Sequence, residues 1–267
     1  LGVRYDLEFV IVDDGSTDDT WAKLTATFAG RPNFRLVRHD VNRGVAAAIQ
    51  TGLQSAHADT VCSMDSDCSY DPLKLADMIP LLTPGVDLVT ASPYHPGGGV
   101  KNVPAWRLSL SKGCAWLYRR ILNTKLHTYT SCFRVYRRSA VASIPVRNGR
   151  YLGIAELIGR LDLAGKSVVE YPAVLETRLI DRSKLKTVRT VLGHLRLMLR
   201  LMLDRRRLDI LHAAARLYLR EPPSGTPHEE WWGWRPMIPD GKPAIGPLPR
   251  VGNAWLAAGH GMLGLSM

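Results

Sequence analysis

Two short apolar runs, Phe9-Val10-Ile11-Val12 and Thr60-Val61-Cys62-Ser63-Met64, each end abruptly in acids. Asp13-Asp14-Gly15-Ser16-Thr17 follows the first and Asp65-Ser66-Asp67 the second. Runs of this length bounded by turn formers read as buried strands. Between them the pattern changes period. Ser16 or Thr17 caps a helix over about residues 18–29. Phe34–Arg38 alternates like a strand, and Asn42-Arg43-Gly44 leads into an alanine-rich helix over about 44–56 whose amide end suits an anion. A helix ending near Leu82 and a strand over Asp87–Ala91 continue the alternation. Strands alternating with helices predict an α/β fold with a doubly wound, mostly parallel sheet. Ligands of such sheets lie beyond the carboxyl ends of the strands, the edge where both acid pairs fall.

The second pair is the sharper signal. Two carboxylates two residues apart at a strand end can face one divalent cation, Mg2+ or Mn2+, and such a cation can hold a diphosphate. The whole chain points the same way: a net charge of +11 over 267 residues implies anionic partners. No nucleic-acid module spacing is present, so a phosphorylated substrate or a phospholipid surface fits better than nucleic acid. Four cysteines, Cys62, Cys68, Cys114 and Cys132, have no CxxC spacing and read as reduced structural thiols.

Further along, Pro93–Pro104 is a loop containing Gly97-Gly98-Gly99 that suits a lid. A helix is predicted over about Trp106–Leu122. Residues 185–219 carry Leu192, Leu195, Leu199 and Met202 at helical spacing, with arginines between them. Two readings stay open there: a helix lying on a membrane surface, or a basic helix packed on the core. No apolar run reaches the roughly 18 residues that span a bilayer, and no signal peptide is evident. At Glu221-Pro222-Pro223-Ser224-Gly225 the composition turns to Trp, Pro and Gly. The expected organisation is a domain over 1–184, basic amphipathic helices over 185–220 and an irregular tail over 221–267.

From Leu7 to about Met202 the chain resembles glycosyltransferase family 2, in particular its polyprenyl-phosphate (dolichyl-phosphate) mannosyl- and glucosyltransferases. The resemblance rests on VDDGSTDDT (Val12–Thr20), NRGVAAAIQTGLQSA (Asn42–Ala56), MDSDCSYDP (Met64–Pro72), SPYHPGGGVKNVPAWRLSLSKG (Ser92–Gly113), TSCFRVYRR (Thr130–Arg138) and SKLK (Ser183–Lys186). It implies a GT-A fold, a divalent metal, a nucleotide-sugar donor such as GDP-mannose or UDP-glucose, and a polyprenyl phosphate acceptor. The implied location is peripheral, at the cytoplasmic face of a membrane. By this resemblance Asp14, with Asp13 beside it, contacts the nucleotide; Asp65 and Asp67 bind metal and diphosphate; Arg107, Ser111 and Arg178 hold phosphate groups. Arg134 stands beside the acceptor, with Lys101 and Lys112 as further phosphate-orienting cations. An acceptor that is already an anion needs no general base, so a single inverting displacement is implied.

The sequence departs from that family in four places. The family's first strand, with its Pro-x-Tyr-Asn-Glu-type loop, would precede Leu1. Ser69 stands for a common Gln, Pro93 for the Arg of Ser-Arg-Tyr, and Cys132 for a Gly. These departures carry the alternative expectation of a truncated, inactive domain. The tail, Trp234–Pro247 and Asn253–Gly264, is instead similar to the carboxyl-terminal segment of FAD-dependent amino-acid oxidases and dehydrogenases, with Arg235 at the substrate-carboxylate position and Gly259–Gly261 near the flavin. No GxGxxG strand–turn–helix lies upstream, so no FAD is expected and an oxidoreductase is the least favoured reading. The chain therefore reads as a chimera joined near residues 221–226.

Overall fold

The structure is a computed structural model that describes residues 4–67, 69–176, 187–218, 244–247 and 255–258. The side chains of 187–189 and of residues after 209 lie outside the description. The chain forms two compact units, residues 1–205 and 206–267.

The first unit follows the predicted alternation through residue 121. β1 (Phe9–Asp13) leads to α1 (Thr20–Phe28), β2 (Phe34–Arg38), α2 (Val45–Ser55) and β3 (Thr60–Ser63). Helical turns over residues 72–81 include α3 (Leu75–Met78); Asp71 starts them by accepting the Leu73 N–H, with Pro72 at the first position. Then come β4 (Leu88–Ser92), β5 (Gly99–Lys101) and α4 (Ala105–Ile121). β5 corrects the reading of Pro93–Pro104 as a loop throughout, since Gly99–Lys101 pairs in parallel with a later strand. Gly98 permits this: a Cβ there would lie 2.6 Å from the Ser92 carbonyl oxygen. After α4 come β6 (Arg134–Arg137), α5 (Arg138–Val141), α6 (Leu152–Leu163), β7 (Val168–Pro172) and β8 (Val174–Glu176).

The main sheet has the order β3-β6-β4-β7, with β6 antiparallel to both neighbours and β4 parallel to β7. All five residues of β4 are buried, as expected of a strand covered on both faces. Its alternation divides the core. Leu88 joins Tyr136, Tyr118, Ile158 and Leu201 on one face; Val89 and Ala91 join Phe133, Val135, Tyr70 and Met78 on the other. β1 and β2 form a separate parallel pair, and among the described residues neither shares a backbone ladder with the main sheet. α2 lies against β1 and against α6, with Leu53 in the larger core.

α7 (Thr187–Tyr218) is one helix of 32 residues. The division at 205/206 falls inside it, whereas the sequence placed a boundary before it. Its early part is core: Leu197, Met198 and Leu201 are buried with α6 and α4, and His194 accepts or donates a 2.9 Å hydrogen bond with the Tyr118 hydroxyl. Arg205 then pairs with Asp162 of α6, which also accepts the N–H groups of Asn123 and Thr124. In the second unit, β9 (Ala244–Pro247) and β10 (Trp255–Ala258) form an antiparallel pair.

Candidate functional site

The turn after β1 is held from within. Gly15 has φ +71°, a left-handed conformation open to glycine, and a Cβ there would come 2.5 Å from the Val41 carbonyl carbon. Asp14 Oδ1 lies 2.7 Å from His39 Nδ1 and accepts the Arg43 N–H at 2.9 Å; Oδ2 accepts the Gly44 N–H at 2.7 Å. The anion expected at the amino end of α2 is therefore the chain's own Asp14. Burial pushes this carboxyl up, but the bonds from His39, Arg43 and Gly44 outweigh it and hold it below its ordinary value. Asp13 is buried, accepts the Ser16 N–H at 3.1 Å, and lies 3.2 Å from Arg38 Nε.

The turn after β3 is different. Asp67 Oδ1 accepts the Ser69 N–H at 2.9 Å, an Asx turn that aims the segment. Asp65 is half-buried, and among the described residues no hydrogen bond or ion pair engages its carboxylate. Burial first, and then the Asp67 charge, push its carboxyl up. Two adjacent carboxylates, neither paired with a cation among the described residues, form a site that a divalent ion would relieve. Among the described residues no third His, Cys, Asp or Glu joins them. Ser63 anchors the strand end by donating to the Cys132 carbonyl, while its hydroxyl also lies 3.0 Å from that of Tyr136.

Two side chains not expected from the sequence, Tyr151 and Cys132, lie close enough to Asp65 to feel its charge. Burial pushes up the Tyr151 phenol, and Cys132, Tyr94 and Asp65 add to it, so Tyr151 stays a neutral donor, bonding the Thr130 carbonyl at 3.0 Å. Burial raises the Cys132 thiol to about 12, with Asp65 and Asp67 contributing. Tyr70 stacks on Phe133 with centroids 5.3 Å apart. Tyr94 lies within the Ser92–Gly113 motif; nothing local in the sequence marks Tyr151.

Arg107 and Ser111 stand four residues apart on α4, half-buried, and among the described residues neither side chain is committed to a hydrogen bond. Lys112 is exposed on the same helix, and Lys101 on β5 makes an exposed pair with Glu176 at 3.6 Å. Arg178 lies outside the described residues, as do Arg235 and Gly259–Gly261. Arg134 corrects the expectation of an acceptor-side cation. It is fully buried, donating to Thr90 Oγ1 and to the carbonyls of Ile154 and Tyr129. Four bonds from its guanidinium to interior oxygens clamp the sheet to α6, and its full burial keeps it from the surface where a phosphate would bind.

Residues 3–144 match the model of glycosyl transferase family 2, and residues 189–267 that of the FAD dependent oxidoreductases. The second match begins within α7, well before the expected junction near 221–226. The chain is 33% identical to the polyprenol monophosphomannose synthase of Mycolicibacterium smegmatis over 67% of its length and 70% of that protein. It is 31% identical to the dolichol-phosphate mannosyltransferase of Pyrococcus furiosus over 75% of this chain, but spans only 56% of that relative. Among solved structures, glucosyl-3-phosphoglycerate synthase of Mycobacterium tuberculosis, in complex with Mn2+, UDP and glucosyl-3-phosphoglycerate, superposes with a TM-score of 0.52 at 23% identity, covering 74% of this chain and 68% of that one. That likeness shows the GT-A fold.

Proposed function

This chain belongs to glycosyl transferase family 2, and on that premise we propose that it transfers a hexose, mannose or glucose, from a nucleotide sugar to a polyprenyl phosphate. The reading rests on the half-buried Asp65, whose carboxylate has no partner among the described residues, beside Asp67 at the end of β3. The named relatives, a polyprenol monophosphomannose synthase and a dolichol-phosphate mannosyltransferase, support the acceptor class.

Asp65 and Asp67 fit a divalent ion, because they offer hard oxygen ligands and an uncompensated charge. When bound there, Mg2+ or Mn2+ supplies charge neutralisation to the departing diphosphate. Arg107 and Ser111 contact phosphate oxygens, and the guanidinium offsets repulsion between two anionic substrates. The acceptor phosphate oxygen attacks the anomeric carbon, the bond from that carbon to the diphosphate oxygen breaks, and the centre inverts. No side chain takes a proton, since none is released. Asp14 positions the nucleotide end indirectly, by fixing the loop Arg43–Gly44 against β1. Lys101, Lys112 and Arg178 remain candidate phosphate contacts, and the setting is peripheral, on the cytoplasmic face of a membrane. Among the described residues no helix is long and apolar enough to cross one.

Calorimetry with GDP-mannose and UDP-glucose, with and without Mn2+, tests the donor half. Transfer of labelled sugar to a short polyprenyl phosphate tests the acceptor half. Mn2+-dependent binding that disappears in Asp65→Asn/Asp67→Asn is expected; metal-independent binding, or none, would remove the proposal.

A further inference from the structure

Three segments converge on Thr130–Phe133, the stretch that leads into β6. Ser63, at the end of β3, donates to the Cys132 carbonyl. Ala91 of β4 donates its N–H to the Phe133 carbonyl at 2.9 Å, and Tyr151, just before α6, donates its hydroxyl to the Thr130 carbonyl at 3.0 Å. Asp65 follows Ser63 by two residues, and Tyr94 follows the last residue of β4 by two. Asp65, Tyr94 and Tyr151 are thereby displayed around one stretch of backbone, and Tyr151 stands within electrostatic reach of both others. Tyr70 and Cys132 are buried beside them. Tyr151 is 39% exposed, yet enough protein surrounds its phenol for burial to push it up. A side chain both crowded and wet lines a recess. Tyr94 is half-buried, and among the described residues no hydrogen bond engages its hydroxyl.

The recess adjoins the two acids that fit a divalent ion, and so adjoins the diphosphate. What a nucleotide sugar carries next to its diphosphate is the sugar. A hexose ring has a face of C–H groups and a rim of hydroxyls. An aromatic ring packs on the first, and an uncommitted phenol hydrogen-bonds the second. Phenols and a buried thiol are uncharged at neutral pH. The charges at the recess are the acids Asp65 and Asp67, and no basic side chain is among the groups that bear on Asp65 or most strongly on Tyr151. Arg134 reaches the Cys132 thiol electrostatically but is spent on interior oxygens. Arg150 turns elsewhere: its Cα and Cγ lie against Gly44 at the start of α2, 2.7 and 2.8 Å from where a Cβ would stand. A sugar bearing its own carboxylate would meet those acids without an offsetting cation.

We propose that Tyr94 and Tyr151 form the sugar subsite, and that this subsite takes an uncharged hexose in preference to a hexuronate. The inference rests on the transferase reading. The Tyr151 ring packs on the C–H face of the hexose, its orientation fixed by the bond to Thr130, and the Tyr94 hydroxyl bonds a sugar hydroxyl. Asp65 and Asp67 then serve the diphosphate, while the two tyrosines set how the anomeric carbon is presented.

The test is calorimetry of the full chain in Mn2+ with UDP, UDP-glucose and UDP-glucuronate, and with GDP, GDP-mannose and GDP-mannuronate. The parent is expected to hold the hexose donor at least about tenfold more tightly than the matching hexuronate donor. Tyr151→Leu is expected to weaken binding of the nucleotide sugar about tenfold, and Tyr94→Phe about threefold, each leaving the nucleoside diphosphate alone bound as in the parent. Tyr151→Phe keeps the ring and is expected to keep the sugar. Melting curves show which variants are folded, and Tyr94→Phe carries the test where Tyr151→Leu does not fold. Sugar binding unchanged in the folded variants, an equal loss for nucleoside diphosphate and nucleotide sugar, or a parent that holds the hexuronate donor as tightly as the hexose would each overturn the subsite and leave the transferase reading standing. A parent that binds neither nucleoside diphosphate nor nucleotide sugar removes the transferase reading, and the subsite with it.

Discussion

His39 bonds Asp14 through Nδ1, at 2.7 Å, and Thr51 of α2 through Nε2, at 2.9 Å. One buried imidazole thereby ties the turn after β1, the end of β2 and the second layer of helix into a single unit. His39→Ala should cost about 1–3 kcal/mol, the penalty for stranding buried polar partners. Denaturant unfolding at neutral pH measures it. The acid limb follows from Asp14. Its folded carboxyl sits below the 3.8 of the unfolded chain, so its contribution is complete above that value and is lost as pH falls through it. Asp14→Asn should flatten this part of the pH–stability curve.

Asp65 and Asp67 should separate activity from stability. Asp65→Asn removes a charge that burial and Asp67 already disfavour, so thermal stability at pH 7 should hold or rise. Transfer should fall by about a hundredfold or more, since stabilisation of the leaving group is lost. Melting curves and turnover on the same preparation check both halves. A parallel loss of stability and activity would make the pair a structural turn.

Arg134 should behave in the opposite way. Arg134→Met strands the Tyr129 and Ile154 carbonyls and should cost about 3 kcal/mol or more, seen as a lower unfolding midpoint. Any folded fraction should keep its KM for the acceptor, because the guanidinium meets no ligand.

His194 should set a second pH dependence. Burial lowers its folded affinity for a proton, so the unfolded chain protonates first. Stability is then full above the ordinary histidine value of 6.5 and declines as pH drops below it. His194→Gln, read by melting temperature between pH 7.5 and 5.5, should remove that decline.

Most of the β1-to-α4 alternation was legible because β1, β3 and β4 are largely apolar runs that stop at Asp or Pro and β2 alternates, whereas β5, a three-residue Gly-Val-Lys strand, has no such pattern. Asp65 and Asp67 were legible for the same reason: acids placed where an apolar strand stops are displayed at the sheet edge. Beyond residue 130 the signal fades. β6 reads Arg-Val-Tyr-Arg, and an arginine is ordinarily a surface residue, so its place at the centre of the sheet was hidden. His39 and Asp14 are 25 residues apart, and no local pattern announces their bond. Tyr151 reaches the Asp65 surroundings from the start of α6, a tertiary fact. α7 left two readings open because it has both faces, one in the core through Leu197 and Leu201 and one outward through Leu195 and Leu199.

Among the described residues β1–β2 and the main sheet share no ladder, so ladder hydrogen bonds fix distances within each but not from one to the other. Asp14 rides on the first and Asp65 on the second. α2 meets the segment before α6 through its alanine run Ala46–Ala48, where the Ala47 N–H also donates to the Gly149 carbonyl at 2.9 Å. There a Cβ on Gly153 would lie 2.6 Å from that of Ala46, and one on Gly149 would lie 3.3 Å from that of Ala47. A methyl group added at either glycine would also run into backbone, at Gly153 the Asn148 carbonyl oxygen and at Gly149 that of Arg43, so this close approach requires glycine at both positions.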